Sequence, residues 1–427
     1  MTKKIFIILL LSILLLAIVF RIYIIEKIPL NDATQIDSEI GFPTSLEDYS
    51  NLFDINKYKN EDYGHLYYIM YIFQNHSIPT NSNGQTYHPP IHYIFSAIFL
   101  SIANIFPLNP MQKIESLQYL GLIYYILSIP VILKILKKLD FSKESILLTM
   151  LIYSFFPKFL HMTILITNDY LSFIFMLCCL LCLLNWNDEA NFKNAFIFSI
   201  FSLLGILTKY NAVIMLLPWF ILFLYKLNKS LESDTSNSLK LIFQAVLVVG
   251  ISFMSFTHIL RDIYFEGNYM VPIPRKELYI GSYGFIKNWG IPFFDMLLLN
   301  NPSMYINIWY GALYDTLIVF ETKNILISIL FFILLIFMFY GFVKKHDKNS
   351  LIIALTGFIY FISFILYNAK LTYICTYNTR YILISLLISI IFIGKSYETL
   401  PKRIQKSFLL IASTLFCLTS ILSIIII

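Results

Sequence analysis

The sequence predicts an all-α polytopic membrane protein: a bundle of about eleven transmembrane helices, with outer juxtamembrane helices in its first loop. Three observations predict it. Of the 427 residues, 58% are hydrophobic and only 13% are charged, against about a quarter charged in a soluble domain. Apolar runs of about 20 residues, the length that crosses a bilayer as a helix, recur from one end of the chain to the other. Lys and Arg gather in the short polar breaks between those runs, as they do in cytoplasmic loops. No alternating ten-residue barrel pattern is visible, and an open sheet edge cannot face lipid, so the spans are expected to be helices.

The first apolar segment, Ile5 to Ile25, follows Lys3 and Lys4. It is too long for a signal-peptide core and no A-x-A-like site follows, so it is expected to stay as a helix that also starts translocation. The later basic clusters are Lys134, Lys137, Lys138 and Lys143; Lys193; Lys226, Lys229 and Lys240; Lys344, Lys345 and Lys348; and Lys395, Lys402, Arg403 and Lys406. Placing every cluster inside gives spans at roughly 5–25, 113–134, 145–163, 168–186, 193–208, 211–228, 240–260, 322–343, 351–368, 380–394 and 406–427. The N-terminus is then cytoplasmic and the C-terminus outside. Two large loops fall outside, at about 26–112 and 261–320. The first holds Asp32, Asp37, Glu39, Glu47, Asp48, Asp54, Glu61 and Asp62, which suits an outer location. It also holds an apolar piece from Ile91 to Phe106, too short for a comfortable span. If that piece crossed, every later lysine cluster would move outside, so it is expected to lie at the outer surface.

Composition excludes other classes. The five cysteines make no disulfide framework: Cys178, Cys179 and Cys182 share one span and Cys417 lies in another, where Cys packs as a small hydrophobe. The net charge of +6 is explained by the positions of the lysines and gives no reason to expect nucleic acid. No internal repeat is evident, and the polar linker NKSLESDTSNSLK (228–240) is short. The expectation is one integral membrane domain over 1–427, whose outer loops form its head. Walker, G-x-S-x-G, H-E-x-x-H and G-x-G-x-x-G motifs are absent.

Ionisable residues at a membrane are costly, which marks them as functional candidates. Four groups stand out, all on the outer side. In Glu61-Asp62-Tyr63-Gly64-His65, a short amphipathic helix is expected from about Gly64, with Leu66, Ile69, Met70 and Phe73 on one face. Asp62 is either its N-cap or a carboxylate that takes a proton from a hydroxyl. Glu61 and His65, four residues apart, could share a face and bind a metal. Next comes Tyr87-His88-Pro89-Pro90-Ile91-His92-Tyr93, where the prolines bar a helix before Ile91 and favour its first turn. His92 reads as part of that helix and His88 as facing the loop. Third is Thr167-Asn168-Asp169, where Thr167 or Asn168 could cap the following helix. Asp169 could instead stand beside Asp62 and flank one acceptor. Last are two isolated cations at outer span edges, Lys209 in LTKYNAV and Arg380 in NTRYILIS. They either snorkel or hold an anionic lipid phosphate.

In this order (a first span, an outer carboxylate pair before a short helix, P-P-h-x-Y, a basic turn, N-D, h-T-K-Y and a late T-R-Y) the chain resembles the GT-C superfamily of membrane glycosyltransferases. The similarity is to the branch of dolichyl-phosphate-mannose protein mannosyltransferases and the aminoarabinose transferase of lipid A, related to glycosyltransferase family 39. It implies a GT-C-like bundle and an inverting transfer of a sugar from a polyprenyl-phosphate donor to a lipid, glycan or protein acceptor. The site would face outward from the plasma membrane. By the same resemblance Asp62 would be the base or the group that orients the acceptor, with Glu61 and Asp169 as further acidic members. Lys209, Arg380 and His88 hold the donor phosphate, with His65 and Tyr87 as accessory residues. His88 stands where such enzymes often carry lysine, so its contact depends on an imidazole. Asp62, His65, His88 and Asp169 could supply ligands to a divalent metal, on which such enzymes differ. A flippase of lipid-linked sugars fits less well: its paired broken helices and inverted repeats are not seen. An O-antigen polymerase or ligase would place its site in a late outer loop rather than an early acidic one.

Overall fold

The structure, a computed structural model, describes residues 1–28, 30, 46–54, 64–79, 85–232, 235–257, 260, 340, 341, 343, 347–370, 379–405, 407 and 408. Among these residues every regular element is a helix. In chain order they are α1 (Lys3–Lys27), α2 (Leu46–Leu52), α3 (Gly64–Asn75), α4 (Ile91–Ala103), α5 (Pro110–Glu115), α6 (Tyr119–Lys138) and α7 (Lys143–Phe155). They continue as α8 (Pro157–His161), α9 (Asp169–Asp188), α10 (Phe192–Ile206), α11 (Leu216–Leu231), α12 (Thr235–Phe253), α13 (Lys348–Lys370) and α14 (Leu383–Thr399).

Among the described residues, six helical stretches are long and apolar enough to cross a membrane: Lys3–Lys27, Pro110–Lys138, Asp169–Asp188, Tyr210–Leu231, Thr235–Phe256 and Arg380–Thr399. Each coincides with an expected span. The expected spans 193–208 and 351–368 also form apolar helices, α10 and the Lys348–Phe364 part of α13. Those at 322–343 and 406–427 lie almost wholly outside the described residues, as does the second outer loop from 261 onward. The expected span 145–163 is corrected: it is broken. Phe156 is extended (φ −69°, ψ 124°), and Pro157 opens a new five-residue helix. A proline pushes its predecessor out of helical geometry and is at home in a first turn. Residues 91–106 give a helix of 13 residues, about 20 Å long, well short of the roughly 30 Å of hydrocarbon.

Residues 22–130 and 163–275 form one compact unit. Its centre is α9, buried along most of its length and packed on α10. Polar side chains bridge its helices. The Trp186 indole N–H on α9 donates to Gln244 Oε1 on α12 at 2.6 Å, and Ser252 Oγ on α12 bonds Ser202 Oγ on α10 at 3.2 Å. Such small or satisfied polar groups let apolar helices approach closely. At Gly121 on α6, a Cβ would come within 2.7 Å of the Thr163 Cα, so glycine is what admits the strand of chain leading to α9. In the same unit α3 packs on α4.

The described residues within 1–21, 131–162 and 276–427 form the second unit. There α14 packs between α7 and α13, with Ser385 Oγ donating to the Gly357 carbonyl at 3.0 Å. Arg21, fully buried, donates to the Ser154 carbonyl at 2.9 Å. Lys395, counted above as a cytoplasmic loop charge, is also buried; it pairs with Asp347 and reaches Ser350 Oγ at 2.7 Å. The other side of the ledger is α1: most of its apolar window is uncovered by protein, with Leu11, Leu15 and Leu16 exposed, as a helix bathed in lipid requires.

Candidate active site

The site is built around the turn Leu207-Thr208-Lys209. Helix α10 ends at Ile206, and the Thr208 hydroxyl turns back to donate to the Leu204 carbonyl at 2.8 Å. The Lys209 amide still reaches the Gly205 carbonyl at 2.8 Å, while its own backbone is extended (φ −157°, ψ 129°) before a 3-10 turn over Tyr210–Met215. Carbonyls at a helix end have no intrahelical partner, and here two other segments supply them. The Ile91 amide at the start of α4 donates to the Leu207 carbonyl at 3.1 Å. The Asn168 side-chain amide donates to the Thr208 carbonyl, also at 3.1 Å. Consecutive carbonyls of one turn therefore gather the P-P-I-H and N-D segments.

The third contact is an ion pair between Lys209 Nζ and Asp169 Oδ1. Lys209 is 7% exposed and Asp169 3%. Asp169 is the first residue of α9, where the helix dipole also favours a negative charge. Sequence reading placed Asp169 and Lys209 in separate groups; the fold joins them. It also corrects the capping expectation. Asn168 occupies the N-cap position, but its side chain makes no capping bond and goes to Thr208 instead.

Beside this pair lies a buried aromatic and imidazole cluster on α3, α4, α6 and α9. Helix α3 does begin at Gly64, which takes φ 57°, the left-handed region that suits glycine. His65 is buried, joins Tyr93 Oη through Nδ1 at 2.7 Å and stacks on the ring of His88 at 5.5 Å. Tyr68 stacks on Tyr93 at 3.8 Å. His92, buried, reaches Tyr124 Oη at 3.4 Å through Nδ1, and Tyr124 meets Tyr170 edge-on. Burial first, then the nearby His65 and Lys209, pushes His92 well below the ordinary imidazole range, so it is neutral at physiological pH. His88 is half-buried, in contact with Tyr87 at 4.2 Å between rings.

His65, Tyr87, His88, Asp169 and Lys209 thus belong to one compact unit. Glu61 and Asp62 lie outside the described residues. Arg380 belongs to the other unit; it is 8% exposed, just ahead of α14, and donates to Tyr381 Oη at 3.2 Å. Among the described residues no three His, Cys, Asp or Glu side chains converge to hold a metal ion. Sequence reading gave Tyr93, Tyr124 and Tyr170 no role in the site. Tyrosine is common in this chain, with 30 copies, so nothing in the sequence distinguishes those that turn inward.

Residues 87–256, which contain the whole Asn168, Asp169 and Lys209 constellation, match the family described as dolichyl-phosphate-mannose-protein mannosyltransferase. No curated protein sequence matches the chain. Two solved structures from Archaeoglobus fulgidus share its fold. One is the archaeal oligosaccharyltransferase AglB in complex with an inhibitory peptide and a dolichol-phosphate, with a TM-score of 0.52 and 12% identity over 97% of this chain. The other is the oligosaccharyltransferase complex with Zn and sulfate, also at a TM-score of 0.52 and 12% identity, over 96% of this chain. The chain spans only 56% and 53% of the length of those two proteins. In the sequence of 87–256 and in the fold of nearly its whole length, the chain resembles the GT-C superfamily of membrane glycosyltransferases.

Proposed function

We propose that the protein is an integral-membrane glycosyltransferase that moves a sugar from a polyprenyl-phosphate carrier to a lipid, glycan or protein acceptor on the outer face of the plasma membrane. The observation that carries this reading is the buried Lys209 and Asp169 pair, assembled from three segments inside the stretch that matches the mannosyltransferase family. The family description and the dolichol-phosphate bound to AglB support a polyprenyl-phosphate donor.

The residues divide the work as follows. A lysine so buried keeps its charge only with a partner, and Asp169 provides it. An ammonium has three N–H donors, so Lys209 can hold Asp169 and a donor phosphate oxygen together. His88 adds a contact to that phosphate, and Arg380 is assigned to donor binding by the resemblance in sequence alone. The acceptor hydroxyl attacks the anomeric carbon from the face opposite the phosphate. The bond from that carbon to the phosphate oxygen breaks, its electron pair stays on the phosphate, and the configuration inverts. The hydroxyl proton passes to Asp62, with Glu61 beside it. Stabilising the charge that grows on the leaving phosphate is the largest contribution the site can make, and it falls to Lys209. Asp169, already engaged by an ammonium, serves best as the anchor of that lysine. His65 and Tyr87 support His88 through ring contacts.

Mass spectrometry of envelope lipids, glycans and glycoproteins from cells with and without the gene tests this reading. One sugar substituent is expected to be missing without the gene and in cells carrying Asp62→Asn at normal membrane levels. An unchanged profile in both would overturn it.

A further inference from the structure

The peptide group that joins Thr208 to Lys209 is held at both ends. Its N–H donates to the Gly205 carbonyl at 2.8 Å, and its C=O accepts from Asn168 Nδ2 at 3.1 Å. A peptide plane clamped at both poles fixes the direction in which the next side chain leaves the backbone. That next side chain is Lys209. On the opposite strand of chain, Asn168 is followed directly by Asp169. The two contacts form a ladder: Asn168 holds the backbone of Thr208, and Asp169 takes the ammonium of Lys209.

Asn168 gives up something to do this. At an N-cap, asparagine normally adopts extended geometry and accepts from an amide of the first turn, worth about 1 kcal/mol. Here its backbone is helical (φ −76°, ψ −4°) and no capping bond forms. The side chain is fully buried and directed instead to a carbonyl 40 residues away. The carbonyl of Thr208 can only accept, so the group facing it must be a donor, and the amide nitrogen of Asn168 supplies it.

We propose that Asn168 is a positioning residue that sets the approach of Lys209 to Asp169 and to the leaving phosphate. Its consequence for transfer rests on the glycosyltransferase reading; its effect on Lys209 does not. Asn168→Ala removes the clamp, and Asn168→Asp keeps the shape but turns a carboxylate toward a carbonyl. Burial and the adjacent Asp169 raise the pKa of that new carboxyl, while the Lys209 ammonium and the start of α9 lower it. As pH falls it becomes protonated, and its O–H can donate to Thr208 again.

Two readouts test this in full-length protein in nanodiscs. The first is modification of Lys209 by trinitrobenzenesulfonate, read by peptide mass spectrometry. The second is sugar transfer from a polyprenyl-phosphate sugar between about pH 8 and pH 5, each variant scored as a ratio to wild type. Asn168→Ala is expected to expose Lys209 to the reagent and to lower kcat by about 10²-fold, with a ratio that does not change with pH. Asn168→Asp is expected to start as low and to regain activity relative to wild type as pH falls. Unchanged Lys209 labelling in folded Asn168→Ala, or an Asn168→Asp ratio that stays flat with pH, would overturn the proposal. If wild type itself transfers no sugar, the glycosyltransferase reading fails, and the labelling still decides the role of Asn168.

Discussion

At 7% and 3% exposure, Lys209 and Asp169 have each lost most of their hydration, and the cost is offset chiefly by the other's charge. Removing one partner leaves a buried ion, which typically costs about 3–5 kcal/mol, whereas replacing both is far milder. Lys209→Met and Asp169→Asn should therefore each lower thermal stability in nanodiscs markedly, while the double variant should lose less than the sum. A double-mutant cycle checks this; additive losses would mean that the pair is not coupled. The sequence already marked both residues, for different reasons: one as an acid at a helix start, the other as a cation at a span edge. Their pairing was not legible. It depends on α9 and the α10 turn meeting across 40 residues, and no spacing rule encodes that.

Helix ends were the most legible elements, because capping and proline chemistry act locally. The prolines before Ile91 do set the start of α4, and Gly64 does begin α3. Pro157 shows the same rule neglected: hydrophobicity alone carried a span through it, and the backbone breaks there. What local rules cannot show is which faces meet. Helix α9 is buried on nearly all sides, and α3, expected to be amphipathic with one apolar face, is buried through its first turns. Gly121 is such a hidden contact. In Gly121→Ala the new Cβ would press on the Thr163 backbone, which leads into Asn168 and Asp169. Overpacking of this kind costs typically 1–3 kcal/mol. We expect a lower unfolding temperature and weaker transfer together; wild-type values for both would show that the α6 approach is loose.

For the molecule as a whole, composition and the lysine pattern sufficed to predict an all-helical membrane protein, and six of the expected spans coincide with long apolar helices. Lysine counting was blunter than it looked. It treated Lys395 as a loop charge, although the side chain is buried against Asp347. The order of short motifs carried the resemblance to GT-C enzymes, and the fold and the match over 87–256 agree with it. The central claim is that Lys209 stabilises a departing polyprenyl phosphate. Its most direct test is the rate at which purified protein in nanodiscs releases polyprenyl phosphate from a panel of polyprenyl-phosphate sugars. Acceptor would come from membrane extract of cells lacking the gene. Wild type should release carrier and glycosylate the extract, and Lys209→Met should be slower by about 10²–10³-fold. Release at the wild-type rate by Lys209→Met, or passage of the carrier across the bilayer with its sugar still attached, would contradict the account.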